Sequence, residues 1–407
     1  MSHTTVNAHD APLASPAVSS GLTRSGAVRL DALDLLRGIV ICLMVLDHVR
    51  DYFHASGAFD PMDVTQSNPA LYLTRIITHF CAPTFVLLAG VSAFLQKANG
   101  KTTANLSRFL LTRGLWLIVL ELTVVNIGWQ FVPALVFLQV IWAIGWSMVA
   151  LSALVWLPWR AVLAIGVVII AGHNLLDGIA PEAFGAAAPL WNFLHVANIV
   201  PVAGVPVLFA YPVLPWMGVM AFGYGIGRVF LLPEAQRRRM LVTLGLSMVA
   251  AFIVLRGLQL YGDPRPWAVQ DAPWKTVGDF LNVLKYPPSL DYVLMTLGPV
   301  LALIPALERL KGPVAAFFLP FGRVPLFVYV IHIYLAHALS MLLGVLMGYP
   351  AAAFINPFFG GMAPAGWGIP LLGVYAVWAL VLAILYPLGR WFSGVKARRR
   401  DWWLGYL

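Results

Sequence analysis

Long apolar stretches separated by short polar breaks fill the chain from residue 37 to residue 389. A helix needs about 20 mostly apolar residues to cross the hydrocarbon core of a bilayer, and about ten segments meet that length. They are 37–53, 71–95, 109–128, 132–156, 160–176, 207–229, 240–260, 289–307, 322–345 and 368–389. Backbone groups inside a bilayer must bond internally, so the pattern predicts an all-α fold, a polytopic transmembrane helix bundle of about ten spans.

Composition excludes the soluble classes. Hydrophobic residues make up 60% of the chain and charged residues 11%, against about 25% charged in soluble domains. The basic residues then set an orientation, because cytoplasmic loops are enriched in Lys and Arg. With the N-terminus inside, all of the 26 basic residues except Arg50, Arg75, Arg256, Arg265, Lys275 and Lys285 fall on the cytoplasmic face. An even number of spans with both termini cytoplasmic is therefore expected. The net charge of +9 follows from this asymmetry, and no nucleic-acid partner is implied.

Residues 1–28 lack a long apolar stretch and read as a disordered cytoplasmic tail, 29–393 as the transmembrane domain, and 394–407 as a basic and aromatic cytoplasmic tail. The first apolar run is too long for a cleavable signal and reads as an uncleaved anchor. Cys42 and Cys81 fall inside predicted spans, so they read as buried apolar residues and not as a disulfide or a zinc site. The small residues Gly218, Gly223, Gly225 and Gly227 suit close helix packing. Two long polar segments, 177–206 with Asp177, Glu182 and His195, and 261–288 with Trp267, Trp274 and Lys285, read as covers of a site or as interfacial anchors.

Ionisable residues within the apolar runs mark the candidate site, since a charge at membrane depth costs kilocalories and persists where it is used. His48, Asp51 and His54 recur every three residues at the end of the first span, which puts them on one helix face. An Asp one turn from a His can orient the imidazole as a general base. Arg75 and His79 return to the same depth on the next span. No pair has a sharp metal-ligand spacing, and no metal is assigned. At the opposite face, Arg37 lies on the same helix face as Asp34, and Arg228 and Arg323 sit at span ends. An Arg there either snorkels to lipid phosphate or holds a phosphorylated ligand. Arg256 and His332 lie within later spans; Arg256 suits an anionic group or Asp51, and His332 suits a passage through the bundle.

Asp34-Leu-Leu-Arg-Gly38, Met44-Val-Leu-Asp-His48, Tyr52-Phe-His-Ala-Ser56 and Phe80-Cys-Ala-Pro-Thr-Phe-Val-Leu-Leu-Ala-Gly90 together resemble the heparan-alpha-glucosaminide N-acetyltransferase catalytic-domain family. So do Tyr211-Pro-Val-Leu-Pro-Trp-Met-Gly218, Lys285-Tyr-Pro-Pro-Ser289, Phe321-Gly-Arg-Val-Pro325 and Lys396-Ala-Arg-Arg-Arg-Asp-Trp-Trp403, in the manner of its bacterial branch. The resemblance implies a transmembrane acyltransferase of the bacterial inner membrane that moves acetyl from cytoplasmic acetyl-CoA to an amino sugar or related glycan on the opposite face. Its active-site His matches His54, acting as a base or as a transiently acetylated group. His48, Asp51 and His79 would then assist catalysis, Arg37, Arg228 and Arg323 would bind CoA phosphates, and Arg75, Arg256 and His332 would bind substrate. The implied partners are the lipid bilayer, acetyl-CoA as co-substrate with no tightly bound cofactor, and the glycan acceptor, with a homodimer left open. The residues alone also suit a proton-coupled transporter or flippase, and O-acylation stays open beside N-acylation.

Overall fold

The computed structural model describes residues 21–55, 59–356, 366–399 and 401–406, with side chains from residue 31 on. Residues 1–20 of the tail, Ser56 of the His-Ala-Ser element and Arg400 lie outside the described residues. The first helix, α1 (Gly21–Phe53), is followed by α2 (Pro69–Thr78) and α3 (Cys81–Ala98). Asn68 starts α2 by accepting the Leu71 amide at 3.0 Å, with Pro69 at the first helical position. The apolar run of α2 and α3 breaks at His79 and Phe80 because Pro83 has no amide to return to the His79 carbonyl. The Tyr292 hydroxyl donates to that carbonyl instead, at 2.7 Å.

Next comes α4 (Thr103–Leu120), which passes through a π turn, Glu121–Val125, into α5 (Asn126–Gln130). The buried Glu121 carboxylate accepts the Gln139 amide at 3.0 Å, which joins this turn to the strand β1 (Val136–Leu138) and to α6 (Val140–Leu154). The chain continues through α7 (Trp159–Gly172), α8 (Ala188–Leu194), β2 (Ile199–Val202), β3 (Val205–Phe209), α9 (Val213–Ile226) and α10 (Glu234–Leu258). It ends with α11 (Pro273–Leu281), α12 (Leu290–Leu307), α13 (Pro313–Arg323), α14 (Pro325–Leu346) and α15 (Leu371–Arg398).

Among the described residues, eight helical segments are long and apolar enough to cross a membrane. The predicted spans 37–53 and 132–156 fall outside that set for different reasons. The helix α1 carries Asp34, Arg37, Asp47, Arg50 and Asp51, too many charges for a lipid-facing span. The 132–156 segment spends its first part on β1 and leaves a 15-residue helix. Residues 205–209 of the chain likewise form strand before α9 begins after Pro212. The all-α expectation thus misses a small sheet, in which β3 pairs parallel with β1 (Val136 opposite Val207) and antiparallel with β2 (Ile199 opposite Leu208).

Burial explains where α1 sits. From Ala32 to Phe53 every side chain but that of Asp51 is buried or partly buried, the mark of a helix enclosed on all sides. In contrast α7, α10 and α15 leave most of their apolar side chains outside the protein interior. The central helix is gripped by α13 at a close crossing, where a Cβ added to Gly322 would lie 1.6 Å from the Asp34 carbonyl oxygen. Gly223, Gly225 and Gly227 pack against Leu87, Leu163 and Phe94, in keeping with their reading as packing residues. Cys42 and Cys81 are both free thiols in the interior.

Candidate functional site at the two ends of the central helix

One cavity of about 440 Å³ opens at the N-terminal end of α1, and a second of about 330 Å³ lies at its C-terminal end. Both volumes fall in the range of small-molecule sites, about 300–1,000 Å³. The first has an apolar body that includes Ile41, Met44, Ile141 and Leu326, and a polar rim with Arg37, Arg113, Arg323 and Lys396. Arg37 pairs with Asp34 and donates to the Ser92 hydroxyl, which fixes its guanidinium beside the cavity. Arg323 lies 3.4 Å from Asp31.

The second cavity is polar. Asp47 is its electrostatic centre: it accepts Arg75 Nη1 at 2.7 Å on each oxygen and Thr78 Oγ1 at 2.8 Å, and forms an ion pair with Arg50 Nη2 at 2.9 Å. Arg50 also pairs with Asp51. Helical spacing produces this arrangement, since Asp47 and Arg50 are three residues apart and share a face. Lys285, from the segment before α12, completes the charge set and lies 5.1 Å from the Tyr286 ring centroid. Two atoms of the set, Arg50 Nη1 and Arg75 Nε, are buried without a hydrogen-bond partner among the described residues. Buried donors left unpaired are costly, and here both belong to residues that line a cavity.

His54 lines the same cavity just beyond α1. Its position is set by the backbone: its amide donates to the Arg50 carbonyl at 2.9 Å, and Ile369, ahead of α15, donates to the Phe53 carbonyl at 2.8 Å. Burial, and then the Arg50 charge, holds the His54 imidazole below its ordinary value. A neutral imidazole at pH 7 can accept a proton. At Tyr286, burial pushes the phenol up, but the Lys285 and Arg75 charges and hydrogen bonds with Tyr211 and Lys285 outweigh it and bring the phenol below its ordinary value.

Between the cavities lies a thin layer of rings. His48 Nδ1 is 2.7 Å from His332 Nε2, and the His48 ring meets Trp129 edge-on at 4.8 Å between centroids and Tyr329 at 6.2 Å. The tautomers follow from the chain of bonds. His332 Nδ1 faces the Val328 carbonyl at 3.1 Å, which only accepts, so that nitrogen carries the proton and Nε2 accepts from His48 Nδ1. His48 Nε2 is left with its lone pair.

Of the residues singled out from sequence, His48, Asp51, His54 and Arg75 line the second cavity, and His332 backs His48. Arg37 and Arg323 line the first. The structure does not bring the others to either cavity. His79 is buried, with Nδ1 2.9 Å from the Arg75 carbonyl and its ring against Tyr292. Arg228 is exposed, stacked 5.3 Å from the Trp159 ring. Arg256 does not pair with Asp51; it donates to the carbonyls of Phe280, Asp279 and Asn282 and approaches Asp263 at 3.7 Å, pinning the 261–288 segment to α10. Sequence reasoning passed over Asp47, Lys285, Tyr211 and Tyr286 in the second cavity, and Arg113 and Lys396 at the rim of the first. Asp47 had a usable signal, an acid inside an apolar run three residues before an Arg.

A multi-pass helical membrane protein with a different cavity at each end of one central helix is the class these features define. The model of the family heparan-alpha-glucosaminide N-acetyltransferase, catalytic, matches residues 29–261, more than half of the chain, and the chain belongs to that family of membrane acetyltransferases. None of the curated proteins compared with it matches. The family match ends before α12, so Lys285, Tyr286, Arg323, Tyr329 and Lys396 reach the two cavities from outside it, and so does His332 behind His48.

Proposed function

We propose that this protein transfers an acetyl group from acetyl-CoA on the cytoplasmic side to an amino sugar or related glycan acceptor on the other side of the cell inner membrane. All ten spans of the sequence reading, α1 and α6 included, then cross the bilayer, with both termini cytoplasmic. One observation carries the proposal: among the described helices and strands α1 alone lines both cavities, with Arg37 and Met44 in one and Asp47, His48 and Asp51 in the other. The four residue steps from Met44 to His48 rise about 6 Å along a helix, a distance an acyl thioester can bridge.

In this reading the apolar body of the first cavity takes the pantetheine arm, and the Arg37, Arg113, Arg323 and Lys396 rim takes the phosphates. The thioester carbonyl reaches the layer at His48. The acceptor amine, held in the second cavity, attacks that carbonyl; the C–N bond forms, the C–S bond breaks, and the thiolate leaves toward the cytoplasm. His54 takes the proton released by the amine. Arg50, which lines the second cavity, would stabilise the oxyanion.

The test is release of free CoA from acetyl-CoA by the detergent-purified protein, with glucosamine as trial acceptor and His54→Ala as the comparison. Release that depends on glucosamine and is lost in the variant supports the reading. Thermal protection by acetyl-CoA without release points to another acceptor, an alcohol included. No protection and no release overturns the donor assignment and favours a gradient-driven transporter using the same histidines.

A further inference from the structure

Away from both cavities, at the end of the 3-10 turn that extends α7 and inside the 177–206 segment, His173, Asp177 and His195 converge. One ligand atom of each lies within 4.8 Å of the other two. His195 Nε2 is 2.9 Å from Asp177 Oδ1, and the His173 and His195 rings stand 5.7 Å apart, edge to face. Both histidines are almost fully buried, at 2% and 1% exposure. Neither ring nitrogen of His173, nor Nδ1 of His195, has a hydrogen-bond partner among the described residues. An imidazole always carries at least one donor or lone pair that asks for a partner, and three bare nitrogens at one buried spot call for a ligand.

We propose that His173, Asp177 and His195 bind a divalent transition ion, zinc by the softness of the donor set. Two imidazoles and one carboxylate are the three-ligand zinc pattern that leaves a fourth position for water. Ligands at zinc distances in a tetrahedron stand about 3.3 Å apart, so side-chain rotation of about an ångström closes the trio around the ion. Carboxylate, imidazole and borderline cation match in hardness better than calcium or magnesium, which take oxygen ligands. Asp177 is already oriented by Asn174, whose Nδ2 donates to its second oxygen at 2.8 Å, the supporting contact such sites use.

The ion would staple α7 to the 177–206 segment. That segment runs on into β2 and β3 and reaches Tyr211 of the second cavity. Asn174 also accepts the Leu290 amide at 2.9 Å at the start of α12, just after Lys285 and Tyr286. The role is positional: the metal touches neither cavity, and the proposal does not depend on what the protein acetylates.

The experiment uses the full chain in detergent, with any affinity tag removed, exposed to micromolar zinc and then desalted. Elemental analysis is expected to find about one zinc per chain, lost in His173→Ala and in Asp177→Asn and kept in Glu182→Gln on the same segment. Zinc should raise the thermal midpoint of the wild type and leave those two variants unmoved. Cobalt loading of the wild type gives an independent readout, the visible bands of a four-coordinate ion, should either variant fail to fold. Wild-type protein that keeps no zinc and shows no cobalt bands, or folded variants that keep the full stoichiometry, would overturn the proposal.

Discussion

The two cavities share a wall and differ in almost everything else. The N-terminal one is a long apolar space with charge only at its rim; the C-terminal one is built of charges, with Asp47, Asp51, Arg50, Arg75 and Lys285 lining it together. The first can hold a ligand that is apolar along its length and anionic at one end. The second can orient a polar acceptor by hydrogen bonds. A central helix enclosed by others makes the combination affordable, because its ionic groups pair with protein and not with lipid. Asp47, Arg50 and Asp51, carried by α1, would face the bilayer if they stood on α7 or α10.

The sharpest way to break the comparison is at His54. His54→Ala is expected to lower acetyl transfer by about 10²–10⁴-fold, the usual worth of a general base, while acetyl-CoA still raises the thermal midpoint. A variant that keeps its turnover would move the base to His48. Single-turnover reaction without acceptor, followed by mass spectrometry, is expected to find no acetylated His54; a trapped acetyl-imidazole would replace direct transfer with a covalent route.

Asp47→Asn acts on the second cavity as a whole. It leaves Arg50 and Arg75 without their shared counter-charge, and removing one partner of a buried pair costs about 3–5 kcal/mol. The expected outcome is a lower unfolding midpoint in detergent. An unchanged midpoint would mean that the charge network is solvated and not structural.

Arg37→Ala and Arg113→Ala sharpen the other end. Each is expected to raise KM for acetyl-CoA about tenfold, the loss of one charge-assisted hydrogen bond of about 1.5 kcal/mol, with KM for the acceptor unmoved. Equal effects on both substrates would show that the cavities do not divide the donor from the acceptor.

The smallest effect is on pH. His54 must be neutral to accept a proton, and burial and Arg50 hold its pKa below the ordinary value, about 6.5. Turnover at saturating substrates should therefore fall to half only below pH 6.5. Arg50→Gln removes a charge that disfavours the imidazolium, so the acid limb should move to higher pH. A limb that moves the other way would remove His54 from the base role.

Much of this was legible in the chain. His48, Asp51 and His54 stood out because helical spacing repeats in sequence, and Arg75 because a charge in an apolar run is conspicuous. The arginines at membrane depth were harder. Arg75 and Arg256 look alike in sequence, yet Arg75 faces Asp47 in the cavity while Arg256 spends its donors on loop carbonyls. Lys285 read as one charge of a long polar segment, and that segment is what delivers it to the site. The zinc trio was invisible for a similar reason: His173 and Asp177 are one turn apart, but His195 joins them only because the segment folds back.

Sequence by itself determined the membrane class, the helical periods and the family, because these depend on composition and on neighbours three or four residues away. Tertiary structure decided that α1 is the enclosed helix, that Asp47 takes both Arg50 and Arg75, that His48 meets His332, and that two cavities and not one flank it. Those outcomes depend on which helix faces which. A charge in an apolar run announces that it must have a partner; only the packed bundle says which one.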